Sequence, residues 1–197
     1  MGDHIQNITV TQNFAFSITC YWAGSVKNIL VANNFFEDRI TLNNLSTAII
    51  SNNVIHYGLS NVYNSQIKNN IVYSSGIGDA LSASKDGNYI AFNLIQPVLL
   101  SGENYGPGNI GGVDMSTVFA GYPTQGTYST DSRWKLKTDG PAAGGGEAGI
   151  DCGMFGGPLP YVLSGLPPIP RIYEAVVPVA GSTVSGLPVI IKAKAQN

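Results

Sequence analysis

A carboxylate, an imidazole and a phenol occupy the same place in a repeating phrase of this sequence. Glu37, His56 and Tyr73 each stand three residues after an Asn, with Phe16 and Gln96 at the matching places on either side. If the phrases stack as neighbouring strands, these side chains form one column, about 4.8 Å apart from level to level. Such a column would put a proton acceptor, a proton donor and a phenol on adjacent levels of an exposed face. Glu37, His56 and Tyr73 are therefore the candidate catalytic residues. Asp38, Arg39 and Tyr57 lie beside them, and Trp22 sits in an aromatic loop one repeat earlier. These four are the candidate ligand-binding residues, with ring faces suited to sugars and charged groups suited to hydroxyls. The plainer alternative is a row of solvent-facing turn residues, with Glu37 satisfied by Arg39 or His56.

The phrase that positions these residues is a β-branched aliphatic residue, two variable residues, an Asn and an apolar residue. It recurs as Val10 to Phe14, Val31 to Phe35, Ile50 to Val54, Ile67 to Ile71 and, with Ile90, as far as Leu94. The steps between Asn13, Asn34, Asn53, Asn70 and Asn93 are 21, 19, 17 and 23 residues. A period near 20 with short β-type phrases points to a solenoid in which each coil packs on its neighbours. Ile8 and Val10, Ile29 and Val31, and Ala48 and Ile50 alternate, so they share the inward face of a strand. We expect the chain to turn at each Asn, with the Asn itself in a left-handed conformation and the next apolar residue re-entering the core. Stacked coils would then align the five Asn side chains as a ladder of amide hydrogen bonds.

Residues 5–96 resemble the right-handed parallel β-helix of the pectin-lyase-like superfamily, in the degenerate I-x-x-N-x-I form common in bacterial extracellular proteins. A second block adds to the likeness. Leu136 to Gly144, with Pro141-Ala-Ala, and Gly149-Ile-Asp151-Cys-Gly-Met-Phe155 are similar to the L-x-x-x-SPAIDAG … DIGAYE element that closes bacterial β-helices. The resemblance implies a secreted or cell-surface protein and a terminal cap in which Ile150 to Phe155 add a last rung. Asp151 would then bond backbone amides. It also implies a scaffold used by lyases, hydrolases, epimerases and adhesins alike. The clustered Asp residues of polygalacturonase-like members are missing here, as are the Ca²⁺-binding carboxylates and basic residue of the pectate lyases.

Composition narrows the function classes. Ten Lys and Arg against 12 Asp and Glu leave a net charge of −2 and no basic patch for nucleic acid. No apolar run approaches the roughly 18 residues of a membrane span. His4 and His56 are too few for a zinc site, and Gly111-Gly112 and Gly144-Gly-Gly146 lack the Lys of a phosphate loop, so no metal or cofactor is expected. Cys20 and Cys152 fit no metal or redox spacing; either buried thiols or a disulfide would suit them.

The expected fold is all-β: a right-handed single-stranded parallel β-helix of about five regular coils plus a cap, with a C-terminal β-hairpin appendage. Residues 1–157 would form the helix, including an irregular loop at 101–131, where the repeat is lost, and the cap at 131–157. Residues 158–170, rich in Pro, would be a tether. Residues 171–197 read as two alternating segments of a hairpin. The repeat is under way at Ile5, which makes the first coil an open edge and a route to homo-oligomers. We expect the chain to be the C-terminal part of a longer protein. Two functions fit. The first is a non-catalytic extracellular or surface module that binds glycan or serves structure and attachment. The second is a carbohydrate-active enzyme, a lyase or glycosidase, or a fragment of one.

Overall fold

The computed structural model of the chain describes residues 5–20, 26–43, 46–73, 87–98, 106–164, 171–182 and 186–194. It divides into two compact units, Met1–Tyr161 and Val162–Asn197.

The first unit is a parallel β-solenoid of about four turns, and its successive coils supply five rungs. One five-stranded sheet is built from the strands before each ladder Asn: β2 (Thr9–Thr11), β6 (Ile29–Ala32), β9 (Ala48–Ser51), β12 (Gln66–Lys68) and β14 (Tyr89–Ala91). A second is built from the strands just after it: β3 (Phe14–Ala15), β7 (Phe35–Phe36), β10 (Val54–Ile55), β13 (Ile71–Val72) and β15 (Leu94–Ile95). A shorter third sheet joins β4 (Ile18–Thr19), β8 (Arg39–Thr41) and β11 (Gly58–Ser60). A two-stranded pair, β1 (Ile5–Gln6) with β5 (Val26–Lys27), completes the coils. Every pairing in the solenoid is parallel, and Val10, Val31, Ile50, Ile67 and Ile90 lie in one register column.

The ladder forms as the spacing predicts. Asn13, Asn34, Asn53, Asn70 and Asn93 each donate, through the backbone N–H and through Nδ2, to Oδ1 of the Asn one rung on, at 2.9–3.1 Å. The last acceptor is Asn109, a sixth member inside the stretch where the repeat is lost to the eye. Ile110 beside it bridges Leu94 in parallel, so one more corner follows the fifth rung. Gly106 stands where the other phrases carry an aliphatic residue, which hides this corner in the sequence.

Two details of the corner differ from expectation. The left-handed residue is the one before each ladder Asn: Gln12, Asn33, Asn52, Asn69 and Phe92 have φ of 54–58°. The ladder Asn itself has no positive φ, and both its N–H and its amide reach the next rung. The apolar residue after the Asn also does not enter the solenoid interior. The interior holds the next residue along, Phe36, Ile55, Val72 and Ile95, together with Val31, Ile50, Ile67 and Ile90. Phe35, Val54, Ile71 and Leu94 alternate outward and are nonetheless buried, because residues 113–161 form a second layer over that sheet.

This layer replaces the expected terminal cap. Residues 150–160 contain no strand and add no rung; they run across the rungs as a strap over the left-handed corners. Asn33 Nδ2 donates to the carbonyls of Met154 and Gly156, and Asn52 Nδ2 to that of Asp151. Glu147 N–H donates to Asn69 Oδ1, and Gln12 Nε2 to the Pro160 carbonyl. Lys68 and Glu147 add an ion pair at 2.6 Å. Gly153 is needed where the strap presses closest: its φ is +79°, and a Cβ there would stand 2.7 Å from Ile71 Cδ1. Asp151 does serve as a turn residue, accepting from Gly144 N–H at 2.8 Å. Cys20 and Cys152 are both free thiols, so no disulfide ties the strap to the first coil.

The second unit contains an antiparallel hairpin, β16 (Arg171–Val176) with β17 (Ile190–Lys194). Glu174 and Lys192 pair across it at 2.8 Å. Of the Pro-rich tether, 165–170 lie outside the described residues.

Asn53→Ala would leave the Asn34 backbone N–H without its acceptor in a buried site and take the Asn53 amide away from the Val31, Ser51 and Asn70 oxygens. We expect a loss of about 3 kcal/mol in urea unfolding, against about 1 kcal/mol or less for Asn13→Ala at the exposed end.

Candidate functional site

The column of Phe16, Glu37, His56, Tyr73 and Gln96 follows directly from the strand register. Ala15, Phe36, Ile55, Val72 and Ile95 are in register, and the next residue on each rung leaves its strand at the same level. Backbone N–H groups of Glu37, His56, Tyr73 and Gln96 donate to the carbonyls of Ala15, Phe36, Ile55 and Val72. The structure therefore brings together the three candidates predicted from the repeat, on rungs two to four.

Their environments diverge. Glu37 is exposed, and His56 is half-buried. Tyr73 is only 5% exposed, which takes it out of the solvent-facing column expected for it. The cause is Trp134, whose ring packs on Tyr73 with centroids 4.5 Å apart, with Tyr122 and Phe119 closing the edges. Trp134 itself carries the Arg133 guanidinium 4.8 Å from its ring centroid, and Arg133 is held by the Gly121 and Pro123 carbonyls. A 3-10 turn, Ser132–Trp134, and an antiparallel bridge between Phe119 and Leu136 fix this cover.

The His56 ring lies between two tyrosines. It stacks on Tyr73 at 4.6 Å and 10°, and on Tyr57 at 4.0 Å and 28°. Its Nδ1 is 3.0 Å from the Glu37 backbone carbonyl. A carbonyl only accepts, so Nδ1 carries the proton in this bond and Nε2 is the basic nitrogen of the neutral ring. Arg39 Nε approaches Asp38 Oδ1 at 3.4 Å, so it turns to its chain neighbour and not to Glu37. Tyr57 is 45% exposed and presents one ring face outward. Trp22 lies outside the described residues.

Burial pushes the Tyr73 phenol far above the ordinary tyrosine range, and the Glu37 charge pushes it the same way. The phenol therefore stays protonated and serves packing, while Glu37 and His56 keep access to solvent. The arrangement has two parts: a rigid aromatic run from Tyr57 through His56 and Tyr73 to Trp134, and a polar margin of Glu37, Asp38 and Arg39. Sequence reasoning found the column and its margin but missed Trp134, Arg133, Tyr122 and Phe119. Phe119 and Tyr122 lie in the long Gly-rich excursion, which had to pack on something, and Arg133 and Trp134 in the block expected to form a cap.

No protein-family model matches the chain, and no curated protein or solved structure matches it either.

A raised phenol value means that the folded state holds the proton more tightly than the unfolded chain. The stabilisation is whole below the unfolded tyrosine value of about 10 and fades as the pH rises past it. In an alkaline titration followed by tyrosinate absorbance, Tyr73→Phe should remove the latest-titrating phenol and move alkaline unfolding to higher pH. Burial, with the Asp151 charge adding to it, also pushes the Cys152 thiol up to about 12. Cys152 should resist a thiol reagent at neutral pH in the folded protein and react once urea unfolds it.

Proposed function

We propose that the chain is a non-catalytic β-helix module of a secreted or cell-surface protein, of the bacterial pectin-lyase-like type, that binds glycan. The observation that carries the reading is the stacked pair of His56 and Tyr57, with the outer Tyr57 face open and the Asp38–Arg39 pair beside it. A sugar ring has an apolar face that stacks on an aromatic ring, and its hydroxyls pair with carboxylate and guanidinium groups at the margin. Such a platform has to be stiff to bind without a large ordering cost. The stacking of His56 on buried Tyr73, and of Tyr73 under Trp134, supplies that stiffness. The parallel solenoid adds a long rigid face that suits an extended polymer and an attachment role.

Burial of Tyr73 weakens the acid–base alternative, since only Glu37 and His56 of the three remain accessible. That alternative is a lyase or glycosidase acting at Glu37 and His56.

Binding is best read on an array of neutral and acidic polysaccharides, with the same samples followed for new reducing or unsaturated ends. Wild type should bind without cleaving, and Tyr57→Ala should lose about tenfold in affinity, near 1.4 kcal/mol. Silence on every polysaccharide, or binding indifferent to Tyr57→Ala, would refute the platform. Cleavage abolished by Glu37→Gln with His56→Ala would establish the enzyme instead.

A further inference from the structure

His56 stacks with one ring face on Tyr73 of the fourth rung and with the other on Tyr57. Tyr57 therefore lies on the side of His56 that looks toward the second rung. Its N–H also donates to the Asp38 carbonyl of that rung. A sugar seated on the open Tyr57 face consequently meets Glu37, Asp38 and Arg39.

The polar groups at this margin are mostly acceptors. An ionised carboxylate has no hydrogen to give. Glu37 is exposed, and its carboxylate has no hydrogen bond or ion pair among the described residues. Asp38 places one oxygen 3.4 Å from Arg39 Nε, so those two charges balance each other. The Nδ1 of His56 is taken by the Glu37 carbonyl, which leaves Nε2 of the neutral ring as a further acceptor. One guanidinium thus stands against two carboxylates, and the margin is net negative.

Nearby cations do not reverse that balance. Arg133 is held over Trp134 by the Gly121 and Pro123 carbonyls. Glu37 acts on the Tyr73 phenol more strongly than Arg133 does, and Lys135 and Lys137 are not among the charges that act on it. Nor is net positive charge available from the segments outside the described residues between these coils. Residues 21–25 and 44–45 carry no charge, 74–86 carry Lys85 against Asp79 and Asp86, and 99–105 carry Glu103 alone.

We propose, resting on the reading of Tyr57 as a glycan platform, that the ligand is an uncharged polysaccharide and that two neighbouring hydroxyls of the stacked sugar donate to the Glu37 carboxylate. A hydroxyl both donates and accepts, so hydroxyls can satisfy Glu37, the second Asp38 oxygen and His56 Nε2 while accepting from Arg39. Donors on adjacent carbons can meet the two oxygens of one carboxylate, and bonds to an ionised acceptor are the strong ones. A uronate or sulfate group would set acceptors against acceptors and bring a like charge to Glu37. Glu37 then acts as a specificity residue: it selects for hydroxyls and against anionic sugars.

Affinity electrophoresis of the full chain tests this, against neutral glucans, mannans, xylans and galactans and against polygalacturonate, alginate and a sulfated galactan. Low salt keeps charge effects least screened. Wild type should bind a neutral polymer and none of the acidic ones. Glu37→Gln should weaken the neutral polymer about tenfold, with an unchanged far-ultraviolet circular dichroism spectrum. Glu37 is exposed, so Glu37→Ala serves if Glu37→Gln folds poorly. Binding of an acidic polymer that is lost in Tyr57→Ala would overturn the uncharged ligand and leave the platform standing. Neutral binding that needs Tyr57 but is unmoved by both Glu37 variants would overturn the role of Glu37. Silence on every polymer, or binding indifferent to Tyr57→Ala, would remove the platform and this ligand with it.

Discussion

A buried amide in the interior of a protein must have its donors and acceptor paired, and the ladder of Asn side chains turns this requirement into architecture. Asn34, Asn53, Asn70 and Asn93 are fully or almost fully buried. An unpaired amide at any of these places would cost roughly 1–3 kcal/mol for each group left unmet. Each Asn set directly over the next gives its side-chain oxygen two donors, while its amide also reaches two backbone carbonyls. That places every strand in register, and one residue of slip on any coil would break two bonds and turn an aliphatic column to the wrong face. The variable length of the coils, from 17 to 23 residues between ladder positions, is absorbed in the loops away from this corner.

The same corner explains why the chain needs its second half. The residue before each ladder Asn takes the left-handed region, and at three of five rungs that residue is again Asn. These outer amides are turned away from the solenoid, where they meet the backbone of the strap at Asp151, Met154 and Gly156 and at the Glu147 N–H. The strap in turn covers the outward row of Phe35, Val54, Ile71 and Leu94, which would otherwise be an apolar stripe open to water. Two Asn columns one residue apart thus do different work: the inner one sets register between coils, and the outer one docks the segment that seals them.

Sealing also shapes the candidate site. Trp134 packs on both Phe35 and Tyr73, so it joins the covered stripe to the column that carries Glu37 and His56. What would have been three exposed polar groups on a sheet becomes a buried aromatic anchor with one ring face left in water. A site assembled this way favours stacking over proton transfer, because its most buried titratable group is locked in its neutral form. It is also coupled to the fold: loosening the strap would unseat Trp134 and soften the Tyr57 platform that rests, through His56 and Tyr73, upon it.

The sequence by itself determined the solenoid, its parallel register, the Asn ladder and the alignment of Glu37, His56 and Tyr73. These rest on local patterns: residue types repeat at a fixed distance from each Asn, and period-two alternation is visible within each phrase. The hairpin, too, was legible from alternation alone. Only the tertiary structure decided which apolar residues face inward. Phe35 and Phe36, or Val54 and Ile55, are equally apolar, and a strand buried on both faces loses the alternation that tells its faces apart. Burial of Tyr73 was hidden for a related reason, since the ring that covers it lies about sixty residues away in a stretch with no repeat. The sixth ladder residue, Asn109, escaped because Gly106 replaces the aliphatic residue of its phrase. The strap was read as a cap because a few backbone hydrogen bonds leave the same sequence trace whether a segment ends a solenoid or runs along it.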